Sequence, residues 1–168
     1  KRWAVGRRMF NAYGPTETSI WSTVHSCDPQ SQATNVPIGH AIAGHRVHLL
    51  GERGNVVAAG DVGEIHIGGI GVARGYLRQP QLTAERFVDS PFVAGDRLYR
   101  TGDLARELSD GTLEYLRRND FQVKIRGHRI ELGEIEAALA ARDGIAEAVV
   151  VARDDRQGSR QLVAYYRM

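Results

Sequence analysis

From Asp120 to Glu136 the chain reads DFQVKIRGHRIELGEIE, and apolar and charged positions alternate along its first part. Val123 and Ile125, then Ile130 and Leu132, take every second place, which is the period of a half-buried strand pair. Gly127-His128 falls between the halves, where a tight turn needs freedom from side-chain clash. From Leu132 the period lengthens, and Ile135, Ala138 and Leu139 recur at helical spacing. Glu131, Glu134 and Glu136 gather at the start, where a helix dipole favours negative charge. A hairpin running into an amphipathic helix is predicted, with Arg118-Asn119-Asp120 as a polar joint ahead of it. Beyond it, the β-branched run Ile145–Ala152 and the run Leu162–Tyr166 predict two strands around the polar loop Asp154–Arg160. The helix and these strands make a small α+β lid.

The preceding chain has a different grammar. Met9–Tyr13 is a short apolar run stopped by Gly14-Pro15, read as a buried strand and a turn. Thr16–Ser19 opens a short helix that takes in Ile20 and Trp21. Free N–H groups and hydroxyls at such a start can hold an anion, and a plain turn with a threonine cap uses the same residues. Residues 26–36 (SCDPQSQATNV) are polar and predict a surface loop. Arg46–Leu50, Val56–Ala59 and Gly63–Gly68 are strand candidates around a turn at Gly54-Asn55, so a small barrel or curled sheet is expected. Gly69-Ile70-Gly71-Val72-Ala73-Arg74 begins like a dinucleotide fingerprint. Arg74 stands in place of the third glycine and no βαβ unit surrounds it, which excludes that reading. In Leu98–Leu104, Gly102-Asp103 fits a turn between strands or an acid offering two oxygens to a vicinal diol. Ala105–Leu108 and Thr112–Leu116 form a hairpin about Asp110-Gly111.

Composition narrows the classes without naming one. The 168 residues can hold one ordinary domain or two small ones. Apolar and charged shares of 42% and 25% are those of a soluble globular chain. A net charge of +2 argues for neither nucleic acid nor membrane, and no apolar run approaches a membrane span. Cys27 is the sole cysteine, so an internal disulfide is excluded and a reducing, cytoplasmic compartment is expected. His45 and His48 are close in sequence but lack a cysteine or acidic partner at metal-ligand spacing. Arg117, Arg118, Lys124, Arg126 and Arg129 read as a solvated strand face rather than an RNA surface, because aromatic interleaving is limited to Phe121.

Four strings carry a family resemblance. QVKIRGHRIELGEIE resembles the eighth core motif of the adenylation domains of nonribosomal peptide synthetases, members of the adenylate-forming superfamily. NAYGPTETS is similar to the fifth, GEIHIGGIGVARGYLRQPQLTAERF to the sixth and YRTGDL to the seventh, in the family's order. The resemblance implies an α/β fold class built of α+β pieces. Residues 1–35 would end a Rossmann-like core subdomain, 36–118 form a small β-barrel subdomain, and 119–168 a mobile lid. It implies that Tyr13 stacks on adenine, Thr16 contacts the α-phosphate, Glu17 helps hold Mg²⁺, and Asp103 and Arg118 bind the ribose. Ala12, Ile20 and Trp21 would line the amino-acid pocket, Asp120 would be the hinge, and Gly127 would lie in the loop meeting the carrier arm. Arg117 departs from the family, which usually has glycine there.

The implied activity joins an amino acid to ATP, giving aminoacyl-adenylate and pyrophosphate. The acyl group then passes to the phosphopantetheine of a peptidyl carrier protein, with neighbouring synthetase domains as further partners. Small, apolar Ala12 and Ile20 beside a bulky Trp21 predict a small aliphatic substrate, glycine or alanine. The family's phosphate loop, substrate-binding Asp and catalytic Lys are not among these residues, so the chain alone is expected to be inactive. It opens at Lys1-Arg2-Trp3, as a piece of a longer protein would. An acyl-CoA or aryl-acid ligase is the rival within the superfamily, although RIELGEIE leans against it. A noncatalytic piece binding nucleotide or carrier protein is the rival outside it.

Overall fold

In the computed structural model the longest strand organises the first part of the chain, and residues 3–120, 122–125, 128–155 and 158–168 are described. The chain divides into two units, Lys1–Asn119 and Asp120–Met168.

In the first unit, β1 (Phe10–Tyr13), β2 (Thr23–Ser26) and β3 (His40–Ala41) form a three-stranded antiparallel sheet. A second sheet holds β4 (His45–Leu50) and β5 (Val62–Gly69), then, after α1 (Pro80–Arg86), β6 (Phe87–Asp89), β7 (Arg97–Glu107) and β8 (Leu113–Arg118). Its order is β4-β5-β7-β6, and β8 shares the edge of β7 that β6 occupies. Strand alternation puts Leu49, Ile65, Ile67 and Ala105 on one face, where they pack with Ile38 and Leu113 into the core.

Several expectations change, the strand expected at Val56–Ala59 among them, since only Val56 bridges there, to Leu50. Met9–Tyr13 is a strand but not a buried one, since Phe10 and Ala12 are exposed and Asn11 and Tyr13 half-buried. Its alternation follows from a sheet covered on one side. Gly102-Asp103 is not a turn: β7 continues through it from Arg97 to Glu107. The helix opened by Thr16 is a 3₁₀ turn that stops at Thr18, because Ser19 and Ile20 are both left-handed, at φ +62° and +77°. Residues 36–41 lead into β3, which joins β2 in the first sheet, and Gly39 bridges to Leu113.

In the second unit, β9 (Val123–Ile125) and β10 (His128–Ile130) pair antiparallel, with Ile125 opposite His128. His128 is thus a strand residue rather than part of the turn, and Gly127 lies outside the described residues. Helix α2 (Leu132–Ala140) follows at once, and then β11 (Glu147–Asp154) pairs with β12 (Arg160–Arg167). Leu132, Ile135 and Leu139 turn inward on α2 while Ala138 is exposed. Glu136 Oε1 accepts the N–H of Val150 at 2.8 Å, which ties the helix to β11. Gln122 is buried and donates to Glu131, the residue at the start of α2. Among the described residues no helix is long and apolar enough to cross a membrane.

Candidate functional site

Two side-chain groups in the first unit draw together residues far apart in sequence. The first centres on Asp103. Tyr13 donates its hydroxyl to Asp103 Oδ2 at 2.6 Å, and Arg118 donates Nη1–H to Oδ1 at 2.8 Å. A second arginine donor, Nη2, reaches the carbonyl of Thr101 at 3.0 Å. Asp103 and Arg118 retain only 10% and 14% of their side-chain exposure, so this ion pair works in a medium far less polarisable than water. Burial first, and then the Asp103 carboxylate, push the Tyr13 phenol well above the ordinary tyrosine range. Tyr13 therefore remains a neutral donor. Its ring packs beside Tyr115, with centroids 6.3 Å apart. Arg118, read from sequence as part of a solvated basic face, is instead the buried partner of this acid.

The second group centres on Glu17, which is 9% exposed in the 3₁₀ turn. Tyr76 donates to Glu17 Oε1 at 2.7 Å, and its oxygen lies 3.3 Å from that of Tyr99. Burial, followed by the hydrogen bonds with Tyr99 and Glu17, drives the Tyr76 phenol far above the ordinary range, so it too stays a donor. The loop after β5 clamps this turn. Ala73 N–H reaches the carbonyl of Glu17 at 2.8 Å, and Ser19 Oγ donates to the carbonyl of Gly71 at 3.0 Å. His45 Nε2 lies 3.2 Å from the carbonyl of Thr18, so that nitrogen carries the proton. A Cβ on Gly71 would sit 2.2 Å from this same nitrogen, which is why the loop needs glycine there. Arg97 holds the loop's far end through the carbonyls of Ala73 and Arg74. The glycine-rich string is therefore a clamp on the turn that bears Glu17.

Thr16 is exposed at the head of the 3₁₀ turn. Ala12 faces outward from β1, and Ile20 and Trp21 are 69% and 58% exposed, so Trp21 does not turn into the core. Asp120 opens the second unit, and its Oδ1 accepts the N–H of Gln122 at 3.2 Å. A cavity of about 770 Å³ lies on the opposite face of the large sheet, lined by Leu50, Glu64, His66, Leu98 and Arg100 among others. Neither Tyr13, Glu17, Asp103 nor Arg118 lines it, and convergent polar chemistry, not volume, marks the site. Sequence reasoning left Tyr76 and Thr101 out, although both lie inside the quoted motifs (ARGYL and YRTGDL).

A family model described as AMP-binding enzyme matches residues 1–77. Tyrocidine synthase 1 of Brevibacillus parabrevis is 53% identical over 98% of this chain. Surfactin synthase subunit 1 of Bacillus subtilis is 51% identical over 94% of it. The chain belongs to the adenylation domains of nonribosomal peptide synthetases. Among solved structures it is similar to holo-PA1221, a synthetase protein with adenylation and PCP domains, at a TM-score of 0.86 and 34% identity. That match covers 98% of this chain and 29% of the other. A four-domain synthetase, AB3403, described as bound to AMP and glycine, matches at TM-score 0.63 and 41% identity, over 98% of this chain and 13% of that one. The chain spans 15% of tyrocidine synthase 1 and 4% of the surfactin subunit.

Proposed function

We propose that this chain supplies the nucleoside-binding and hinge portion of an enzyme that activates an amino acid with ATP. The amino-acid carboxylate attacks the α-phosphorus, pyrophosphate leaves, and aminoacyl-AMP results. The phosphopantetheine thiol of a carrier protein then displaces AMP from the acyl carbon. The observation that carries the reading is the doubly held carboxylate of Asp103. With Tyr13 donating to one oxygen and Arg118 to the other, the carboxylate is fixed in orientation to receive the ribose hydroxyls.

Glu17 is the residue to hold Mg²⁺. Its carboxylate is oriented by Tyr76, and one protein carboxylate completed by phosphate and water oxygens is a usual magnesium shell. Mg²⁺ bound there would neutralise phosphate charge. Thr16, exposed one residue earlier, is placed to meet a phosphate oxygen, and Tyr13 offers its ring to the adenine. Ala12, Ile20 and Trp21 border the amino-acid pocket, and the bulk of an exposed Trp21 favours glycine or alanine. The neighbour described with AMP and glycine supports both halves of this reading. A peptidyl carrier protein and adjoining synthetase domains are the partners, in the cytoplasm. The 168 residues contain no Gly/Ser/Thr-rich phosphate loop with a lysine, so the chain by itself should not form adenylates.

ATP–pyrophosphate exchange by the full synthetase, run across amino acids and aryl acids, tests the proposal. Exchange should depend on a small aliphatic amino acid, Asp103→Asn should raise KM for ATP, and Trp21→Ala should shift preference toward larger side chains. Exchange supported by aryl acids alone, or an unchanged KM in Asp103→Asn, would refute it.

A further inference from the structure

Asp103 sits where the sheet's ladder breaks. β5 and β7 pair at His66 with Arg100 and again at Glu64 with Leu104, so Ile65 alone faces Thr101, Gly102 and Asp103. A bulge of this kind strands backbone groups and re-aims a side chain. Gly102, at φ +73°, supplies the left-handed step that the detour requires. Two side chains then take up the stranded groups. Thr101 Oγ1 donates to the carbonyl of Ile65 at 2.8 Å and accepts the N–H of Asp103 at 3.0 Å. Glu64 Oε1 accepts the N–H of Gly102 at 3.1 Å.

The other edge of β7 is open at the same place. β6 pairs with Arg97–Tyr99 and β8 ends at Arg118 opposite Asp103, which leaves a gap between them. Arg118 Nη2 fills it at the carbonyl of Thr101, and the N–H of Asn119 takes that of Gly102 at 2.7 Å. Thr101 is 1% exposed, so its hydroxyl is closed to a nucleotide and acts through Asp103.

We propose that Thr101, with Glu64 beside it, is a positioning residue for the nucleotide's ribose: its buried hydroxyl closes the bulge that aims Asp103. The inference rests on Asp103 being the ribose-binding acid. The full synthetase is compared with its Thr101→Val, Thr101→Ser and Glu64→Ala variants, each checked for folding by circular dichroism. KM for ATP and kcat are measured by pyrophosphate exchange, together with the preference for ATP over 2′-deoxy- and 3′-deoxy-ATP.

Thr101→Val should raise KM for ATP roughly tenfold, the size of one lost hydrogen bond, with kcat within about twofold. The preference against the deoxy analogues should shrink. Thr101→Ser keeps the hydroxyl and should restore both values. Glu64→Ala should move both in the same direction as Thr101→Val, and it decides the matter if the valine variant does not fold. A folded Thr101→Val enzyme with unchanged KM and unchanged preference overturns the inference, as does a folded serine variant that fails to rescue. A wild-type enzyme indifferent to the ribose hydroxyls overturns the Asp103 reading itself.

Discussion

Removing the arginine from the Asp103–Arg118 pair should cost far more than breaking a surface ion pair. Arg118→Leu deletes a 2.8 Å bond to the carboxylate and a 3.0 Å bond to the Thr101 carbonyl. Breaking one partner of a buried pair costs about 3–5 kcal/mol. Side-chain exposures of 14% and 10% leave some access to water, so the lower end applies, about 3 kcal/mol. Asp103→Asn keeps the shape and removes the charge, and should cost about 2 kcal/mol. If the two losses report one interaction they will not add, and a double-mutant cycle should return a coupling of about 2 kcal/mol. Arg106–Glu114, in the same sheet, is the control. It is a close pair at 2.7 Å, but with Arg106 47% exposed its coupling should stay near about 0.5 kcal/mol. Urea unfolding followed by far-UV circular dichroism measures both cycles. Additive single losses at Asp103 and Arg118, or a coupling no larger than the control's, would refute the reasoning.

His66 and His48 stand opposite each other on β5 and β4, and burial is the first cause lowering both below the ordinary histidine range. The folded form holds them neutral while the unfolded chain binds protons, so stability should fall as pH drops below about 6.5. The urea midpoint should decline from about pH 7.5 to about pH 5.5, less steeply in His66→Gln; a midpoint that is flat or rises on acidification contradicts this. Ile20, β-branched at φ +77°, carries strain of order 1–3 kcal/mol, so Ile20→Gly should stabilise the chain by about 1 kcal/mol in the same assay. A destabilised glycine variant would show the turn to be unstrained. Asp120→Pro in the full synthetase should slow thioester formation more than adenylation, because a fixed φ resists rotation at a hinge. Equal loss in single-turnover measurements of the two steps counts against the hinge.

The sequence by itself determined most of the strands and α2, together with the family. β4, β5, β8 and β12 fall within a few residues of their predicted places, because period-two alternation and turn chemistry are local properties that a short window records. The motifs likewise contain Tyr13, Glu17 and Asp103, and the family resemblance extends to Arg118. β2 escaped because TVHS has little apolar signal, and its strand character comes from pairing with β1 and β3. Only the tertiary structure decided that Tyr13 reaches Asp103, ninety positions along the chain. It also decided that Gly102 lies in a bulge rather than a turn, and that Tyr76 orients Glu17. Such facts rest on strand register and on contacts between distant segments. No local pattern encodes them, since the same alternation is compatible with many registers until the core face and the turns select one.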